Sequence, residues 1–279
     1  MKDPDKFRQK PIDPAQDSPL SAAVSQRDRN VLTMVRDAVE RRDVRLAYQP
    51  VVQSTQPGVP AFYEGLIRIL DETGRIIPAK EFMDRVETME LGRILDCLAL
   101  EMGLNALKRE PTLRLAINMS ARSIAYPRWS RSLRKGLSDD RTVAERLILE
   151  ISESSAMLVP DKVAVFMADL QSEGISFALD DFGAGFTSFR YLRDFYFDIL
   201  KIDGQFVRGV ADSPDNQVLT QAMLSLARHF DMFAVAESVE TARDAAWLTE
   251  IGMDCMQGYY FGAPSMTPPW QIPKSAQRA

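Results

Sequence analysis

The chain has 279 residues, enough for one large domain at ~100–200 residues per domain. Its 46% hydrophobic and 26% charged residues match ordinary globular usage and exclude both a disordered chain and a fibrous repeat. Lys and Arg total 34 against 39 Asp and Glu, a formal charge of −5, so the basic excess that a phosphate lattice requires is missing and polymeric nucleic acid is a poor partner.

Residues 1–29 carry Pro4, Pro11, Pro14 and Pro19 between polar spacers and read as a flexible amino-terminal tail without the apolar core of a secretion signal. No window approaches ~18 uninterrupted apolar residues, so no membrane insertion is expected. Cys97 and Cys255 form no C-x-x-C pair, which argues against a disulfide framework or structural zinc. A reducing, cytoplasmic setting is the expectation.

From Asn30 the pattern changes. Val31, Leu32, Val35 and Val39 fall at helical spacing to about Arg42, and strands follow over 45–52 and 61–69. The Gly- and Pro-containing link at 53–60 is too short for a parallel crossover, so this first pair is antiparallel. Further strands fall at 113–119, 146–151, 175–181, 198–202, 232–237 and 255–257, separated by amphipathic stretches such as 161–173, 217–229 and 241–251. Several are near-continuous apolar runs, as parallel strands covered on both faces require. Eight strands alternating with helices predict an α/β fold, a modified TIM (β/α)8 barrel with its first strand antiparallel, spanning 30–270 before a tail at 271–279. A doubly wound open sheet is the alternative, but no Gly-x-Gly-x-x-Gly loop follows an early strand.

The informative pattern lies at the strand ends. Glu64 sits within the second strand; Asn118, Glu150, Asp180-Asp181, Lys201, Glu237 and Gln257 each end or follow an apolar run. Taken singly, each is an ordinary turn or capping residue. Together, in a barrel, they converge on the carboxyl-terminal rim where barrel active sites lie. His229 is the single histidine and stands near a predicted helix end, a position that favours interaction with the helix dipole. Acid–base and metal chemistry therefore falls to carboxylates, and a cation held by them is hard: magnesium, manganese or calcium.

The segments Tyr48-Gln49-Pro50, Glu64-Gly65-Leu66-Ile67-Arg68, Asn118-Met119-Ser120, Glu150-Ile151-Ser152-Glu153, Asp180-Asp181-Phe182-Gly183-Ala184-Gly185, Leu200-Lys201-Ile202-Asp203, Ala236-Glu237-Ser238-Val239-Glu240 and Gln257-Gly258-Tyr259 occur in the order found in EAL-domain cyclic di-GMP phosphodiesterases. From about Asn30 to Pro264 the chain resembles that family. The family's barrel has a reversed first strand, in agreement with the inferred hairpin.

The resemblance implies hydrolysis of cyclic di-GMP to linear pGpG with two magnesium or manganese ions. It implies that Glu64, Asn118, Glu150 and Asp180 hold one ion, and that Asp180 bridges to a second with Asp181. Glu237 is ligand or proton acceptor. Lys201 orients the attacking water or stabilises the transition state, Gln257 bonds in the same water network, and Gln49 and Arg68 contact substrate. Glu153 and Glu240 anchor the loop at 182–188, and the following helix at 189–195 lies near a homodimer interface. Calcium is expected to permit binding and suppress turnover. The chain departs from the family at Gly65, at Ala184 where Thr is usual, and at Ser238 where Gly is common, departures that predict a slower enzyme and remove no ligand. A cyclic di-GMP receptor or interaction module without catalysis is the competing reading; a carboxylate-pair glycosidase has no use for adjacent aspartates with Asn118 and Lys201. The regulatory input is not written in the residues.

Overall fold

The computed structural model describes residues 19–185 and 192–271. Among the described residues nine strands form one sheet: β1 (Val44–Gln53), β2 (Gln56–Leu70), β3 (Ile76–Pro78), β4 (Leu115–Asn118), β5 (Leu147–Ser152), β6 (Ser176–Phe182), β7 (Ile199–Ile202), β8 (Phe233–Ala236) and β9 (Cys255–Gln257). The order is β1-β9-β8-β7-β6-β5-β4-β2-β3, and pairing of β1 with β2 closes eight of them into a barrel. β1 runs antiparallel to both neighbours, β2 and β9. The pairs from β2–β4 round to β8–β9 are parallel. The fold is the modified (β/α)8 barrel that the strand pattern predicts.

The reversal follows from chain length. Gln53 pairs with Gln56, so two residues make the turn, and so short a link permits only a hairpin. The parallel strands instead return through helices, including Glu90–Arg109, Pro127–Asp139, Pro160–Gln171, Pro214–His229 and Ala242–Glu250. Between barrel and helices lies the main core. There Trp129 is fully buried with its ring near Phe166, which meets Phe177 of β6 edge-on. Each such large apolar side chain contributes roughly 1.5–3 kcal/mol by leaving water.

Two expectations need correction. The first helix runs Pro19–Arg41, so residues 19–29 belong to a helix and not to the tail; residues 1–18 lie outside the described residues. Proline at its start costs no hydrogen bond, Asp28 ion-pairs with Arg85, and Val35 and Ala38 are wholly buried. The short β3 was absent from the reading. It pairs with the far end of β2 through Arg68, Ile69 and Leu70, after a turn in which Asp71 accepts from the backbone N–H groups of Thr73 and Arg75. Three residues carry too little periodicity to announce a strand. At the other end the turn Pro269–Gln271 sets Trp270 edge-on to Tyr48 and Tyr63, and residues 272–279 lie outside the described residues. No helix among the described residues is long and apolar enough to cross a membrane.

Candidate active site

Inside the barrel one layer of the core takes a single residue from each closed strand: Val51, Phe62, Ala116, Ile148, Ala178, Ile199, Val235 and Cys255. Side chains two apart share a face of a strand. One step of two toward the carboxyl-terminal rim therefore puts Glu64, Asn118, Glu150, Asp180, Lys201, Glu237 and Gln257 in the next layer. On the reversed β1 the same step runs backward and delivers Gln49. An apolar plug thus floors a ring of eight polar side chains.

Lys201 is the hub of this ring. Its Nζ lies 2.8 Å from Glu237 Oε1, 2.9 Å from Asp180 Oδ1, and 3.2 Å from both Glu64 Oε2 and Glu150 Oε2. Glu64 is further fixed by donation from Asn118 Nδ2 to Oε1 at 2.7 Å and from Gln257 Nε2 to Oε2 at 2.6 Å. Gln257 Nε2 also donates to Gln49 Oε1 at 3.1 Å, and Gln49 Nε2 donates to the Gly262 carbonyl at 3.1 Å. With Glu64 held by three donors, Gly65 introduces no slack at this carboxylate. A Cβ at Gly65 would stand 2.8 Å from Ile117 Cδ1, so the glycine serves close packing of β2 on β4.

Four carboxylates share one ammonium, and when all are ionised three negative charges remain without a counterion, a costly state in a buried site. Burial, reinforced by neighbouring carboxylates, holds Glu150 and Glu237 well above the usual carboxylate range against the pull of Lys201. Burial also acts to raise Glu64, but Lys201 and the amides of Gln257 and Asn118 outweigh it and lower the group. Asp181 is pushed up to about 6 by burial and by Asp180. Lys201 is raised because its four carboxylates outweigh its burial.

The same surplus of negative charge fits divalent cations. Asp180, Asp181 and Glu237 offer oxygens within 4.8 Å of one another. Glu150 Oε1 and Gln257 Oε1 are buried without a hydrogen-bond donor among the described residues. Hard oxygen acceptors in this number suit magnesium or manganese. Asp181 and Gly183 adopt φ of +55° and +93°, turning the chain sharply at the end of β6. Glu153 Oε2 accepts from Gly183 N at 3.1 Å and so ties down this turn.

Not every expected residue joins the cluster. Arg68 is half-buried and donates Nη1 to the carbonyl of Ile67 at 2.9 Å. Glu240, expected with Glu153 at the loop, lies on the pocket wall with its Oε1 3.6 Å from Arg208 Nε. Glu240 follows β8, whereas the β5 that precedes Glu153 adjoins β6 directly. Residues 186–188 of the loop and 189–191 of the expected helix lie outside the described residues, which stop at 185 and resume at 192. His229 ends the helix Pro214–His229 with its ring edge-on to Phe230, and both cysteines are free and buried.

Above the cluster a pocket of about 380 Å³ opens, walled also by Leu66, Lys80, Arg208, Ser238 and Tyr259. The sequence reading did not assign Lys80, Arg208 or Tyr259 a role. They sit on turns, where no periodicity indicates side-chain direction. Leu66 carried a signal, since it follows Glu64 by two residues on the same strand face.

The EAL domain model matches residues 32–264. The bifunctional diguanylate cyclase/cyclic di-GMP phosphodiesterase MucR of Pseudomonas aeruginosa is 31% identical over 248 residues, which cover 87% of this chain and 36% of MucR. Cyclic di-GMP phosphodiesterase PdeF of Escherichia coli is 29% identical, over 84% of this chain and 32% of PdeF. The chain thus spans about a third of the length of these curated relatives. Among solved structures, the PaMucR phosphodiesterase in complex with c-di-GMP superposes with a TM-score of 0.75 at 30% identity, covering 87% of this chain and 99% of that one. The FimX EAL domain of Pseudomonas aeruginosa bound to c-di-GMP gives 0.76 at 25% identity, covering 85% and 96%. Sequence and fold agree over the same stretch that carries the polar ring, and the chain belongs to the EAL domain family.

Proposed function

We propose that this domain hydrolyses cyclic di-GMP to linear pGpG with two magnesium or manganese ions. The observation that carries the reading is the ring of eight polar side chains, complete in its acidic, amide and amine members and set one layer above the apolar floor. Relatives named as cyclic di-GMP phosphodiesterases, and a relative solved with c-di-GMP, support the substrate.

Glu64, Asn118, Glu150 and Asp180 would hold one ion, and Asp180, Asp181 and Glu237 the second. Bound there, such ions activate water and neutralise charge developing on the phosphate. Glu237 holds an ion or takes the proton of the attacking water. Lys201 supplies a positive charge beside the forming bond and, with Gln257, orients the water. The water oxygen bonds to phosphorus as the P–O3′ bond breaks, and a proton reaches the departing 3′ oxygen. The product is a linear dinucleotide with a 5′-phosphate. Gln49 and Arg68 contact substrate, and Glu153 keeps Asp180 and Asp181 in place through Gly183. Calcium suits the same oxygens but activates water less, and suppresses turnover.

A homodimer in the cytoplasm completes the reading. By the family resemblance the interface would lie near the loop at 182–188 and the stretch that follows it, where Tyr196 is exposed.

The test is incubation of purified protein with cyclic di-GMP and manganese, with products separated by chromatography. pGpG should accumulate, and chelation should stop it. Glu64→Ala serves as the control for the first ion and should abolish turnover. Binding without turnover in the wild type would replace this reading with that of a receptor.

A further inference from the structure

Among the described residues, the pocket wall carries two cationic side chains, Lys80 and Arg208. Arg208 is held across the gap between two loops. Its Nη2 donates to Ser238 Oγ at 3.0 Å, and its Nε lies 3.6 Å from Glu240. Arg208 follows the helical turn Gly204–Val207 after β7, whereas Ser238 and Glu240 follow β8, so the contact clasps neighbouring corners of the rim.

Ser238 is the residue that makes the clasp. It adopts φ +55°, a left-handed conformation that is costly for a side chain with a Cβ. A Cβ at Gly204 would stand 2.4 Å from Ser238 Oγ and 2.6 Å from Ser238 Cβ, so the serine fills the space left by that glycine. A glycine at position 238 would have no hydroxyl with which to make this bond. The strained serine therefore aims Arg208, and because a hydroxyl is neutral it leaves the guanidinium charge uncancelled. Glu240 offsets that charge weakly, since both side chains of the pair are more than half exposed and such pairs are strongly screened.

We propose that Arg208, oriented by Ser238, is a substrate-binding residue of this chain that holds the phosphate of cyclic di-GMP remote from the one being cleaved. The inference rests on the functional reading above. A cyclic dinucleotide carries two phosphodiester charges. One meets the ions and Lys201, while the other lies over an acidic floor, where Arg208 adds a cation in the wall to the substrate contacts of Gln49 and Arg68. Arg208 has N–H groups to spare after its bond to Ser238, and a guanidinium donates well to phosphate oxygens.

The experiment measures cyclic di-GMP affinity by calorimetry in chelator, where turnover is absent, and KM and kcat with manganese. Arg208→Ala should weaken binding ~10-fold and raise KM by a similar factor with kcat within ~2-fold, as expected for one lost charge-assisted contact. It should also flatten the dependence of affinity on salt. Arg208→Lys should recover part of the loss, and Ser238→Gly should lose less than Arg208→Ala because the cation remains but is no longer aimed. Unchanged affinity in Arg208→Ala, or a fall in kcat with affinity and KM preserved, overturns the assignment. Wild-type protein that neither binds nor hydrolyses cyclic di-GMP overturns the functional reading itself, and that measurement tells the two failures apart.

Discussion

Lys201 Nζ stands 2.8 Å from Glu237 Oε1, across adjacent strands in which Lys201 pairs with Val235 and Glu237 follows two residues on. The pair shows what gathers the carboxylates of the site. A single ammonium at the centre of four carboxylates keeps their side chains gathered where mutual repulsion would splay them. Replacing it by an isosteric apolar side chain leaves buried charge unpaired, which costs about 3–5 kcal/mol. Lys201→Met should lower the urea stability of the chelated protein by that order, and manganese should recover more stability in the variant than in the wild type. Equal stability of the two chelated proteins would remove Lys201 from this role.

Glu153 acts at one remove from the chemistry. Its Oε2 accepts from Gly183 N, two residues beyond Asp181, and supports the turn that presents both aspartates. Loss of such a supporting contact typically costs 10–100-fold in metal affinity or activity. In Glu153→Ala the manganese concentration for half-maximal turnover should rise by about that factor, while cyclic di-GMP affinity in chelator stays near the wild-type value. Titration of activity with manganese checks this.

Asp96 gives the fold a pH dependence independent of the site. Burial pushes its carboxyl up to about 6 from 3.8, despite hydrogen bonds from Ser123 Oγ and Ser120 N. Between those values the folded chain binds more protons than the unfolded chain, so this group's contribution to stability falls as pH rises. The full effect is about 3 kcal/mol at ~1.4 kcal/mol per unit. Asp96→Asn keeps an acceptor for Ser120 N and removes the titration. Relative to the wild type, the variant should gain up to about 3 kcal/mol between pH 4 and pH 7, read from urea midpoints at the two values.

Gly258 permits the contact between β9 and the loop after β8. A Cβ there would meet Val239 O at 2.0 Å and Val239 N at 2.3 Å, and backbone atoms cannot swing aside as a side chain does. Val239 N also donates to Gln257 O at 2.9 Å, so a forced shift moves Gln257 and the segment that follows Glu237 together. Gly258→Ala should cost about 3 kcal/mol, at the upper end of overpacking, and reduce kcat. A thermal unfolding midpoint equal to that of the wild type would contradict the packing.

The amino-acid sequence alone determined the barrel and most of its polar ring. Apolar runs of strand length set the strands, a link too short for a crossover reversed β1, and the alternation of side chains placed Glu64, Asn118, Glu150, Asp180, Lys201, Glu237 and Gln257 on one rim. These are local properties of the chain, written in spacing. Closure of the sheet decided the rest. It set Lys201 among four carboxylates from four other strands, turned Arg68 toward its own backbone, and moved Glu240 to Arg208. It also brought Lys80, Arg208 and Tyr259 from separate turns to one pocket. A turn residue's direction depends on what packs beneath it, and that is known only when distant strands have found their partners.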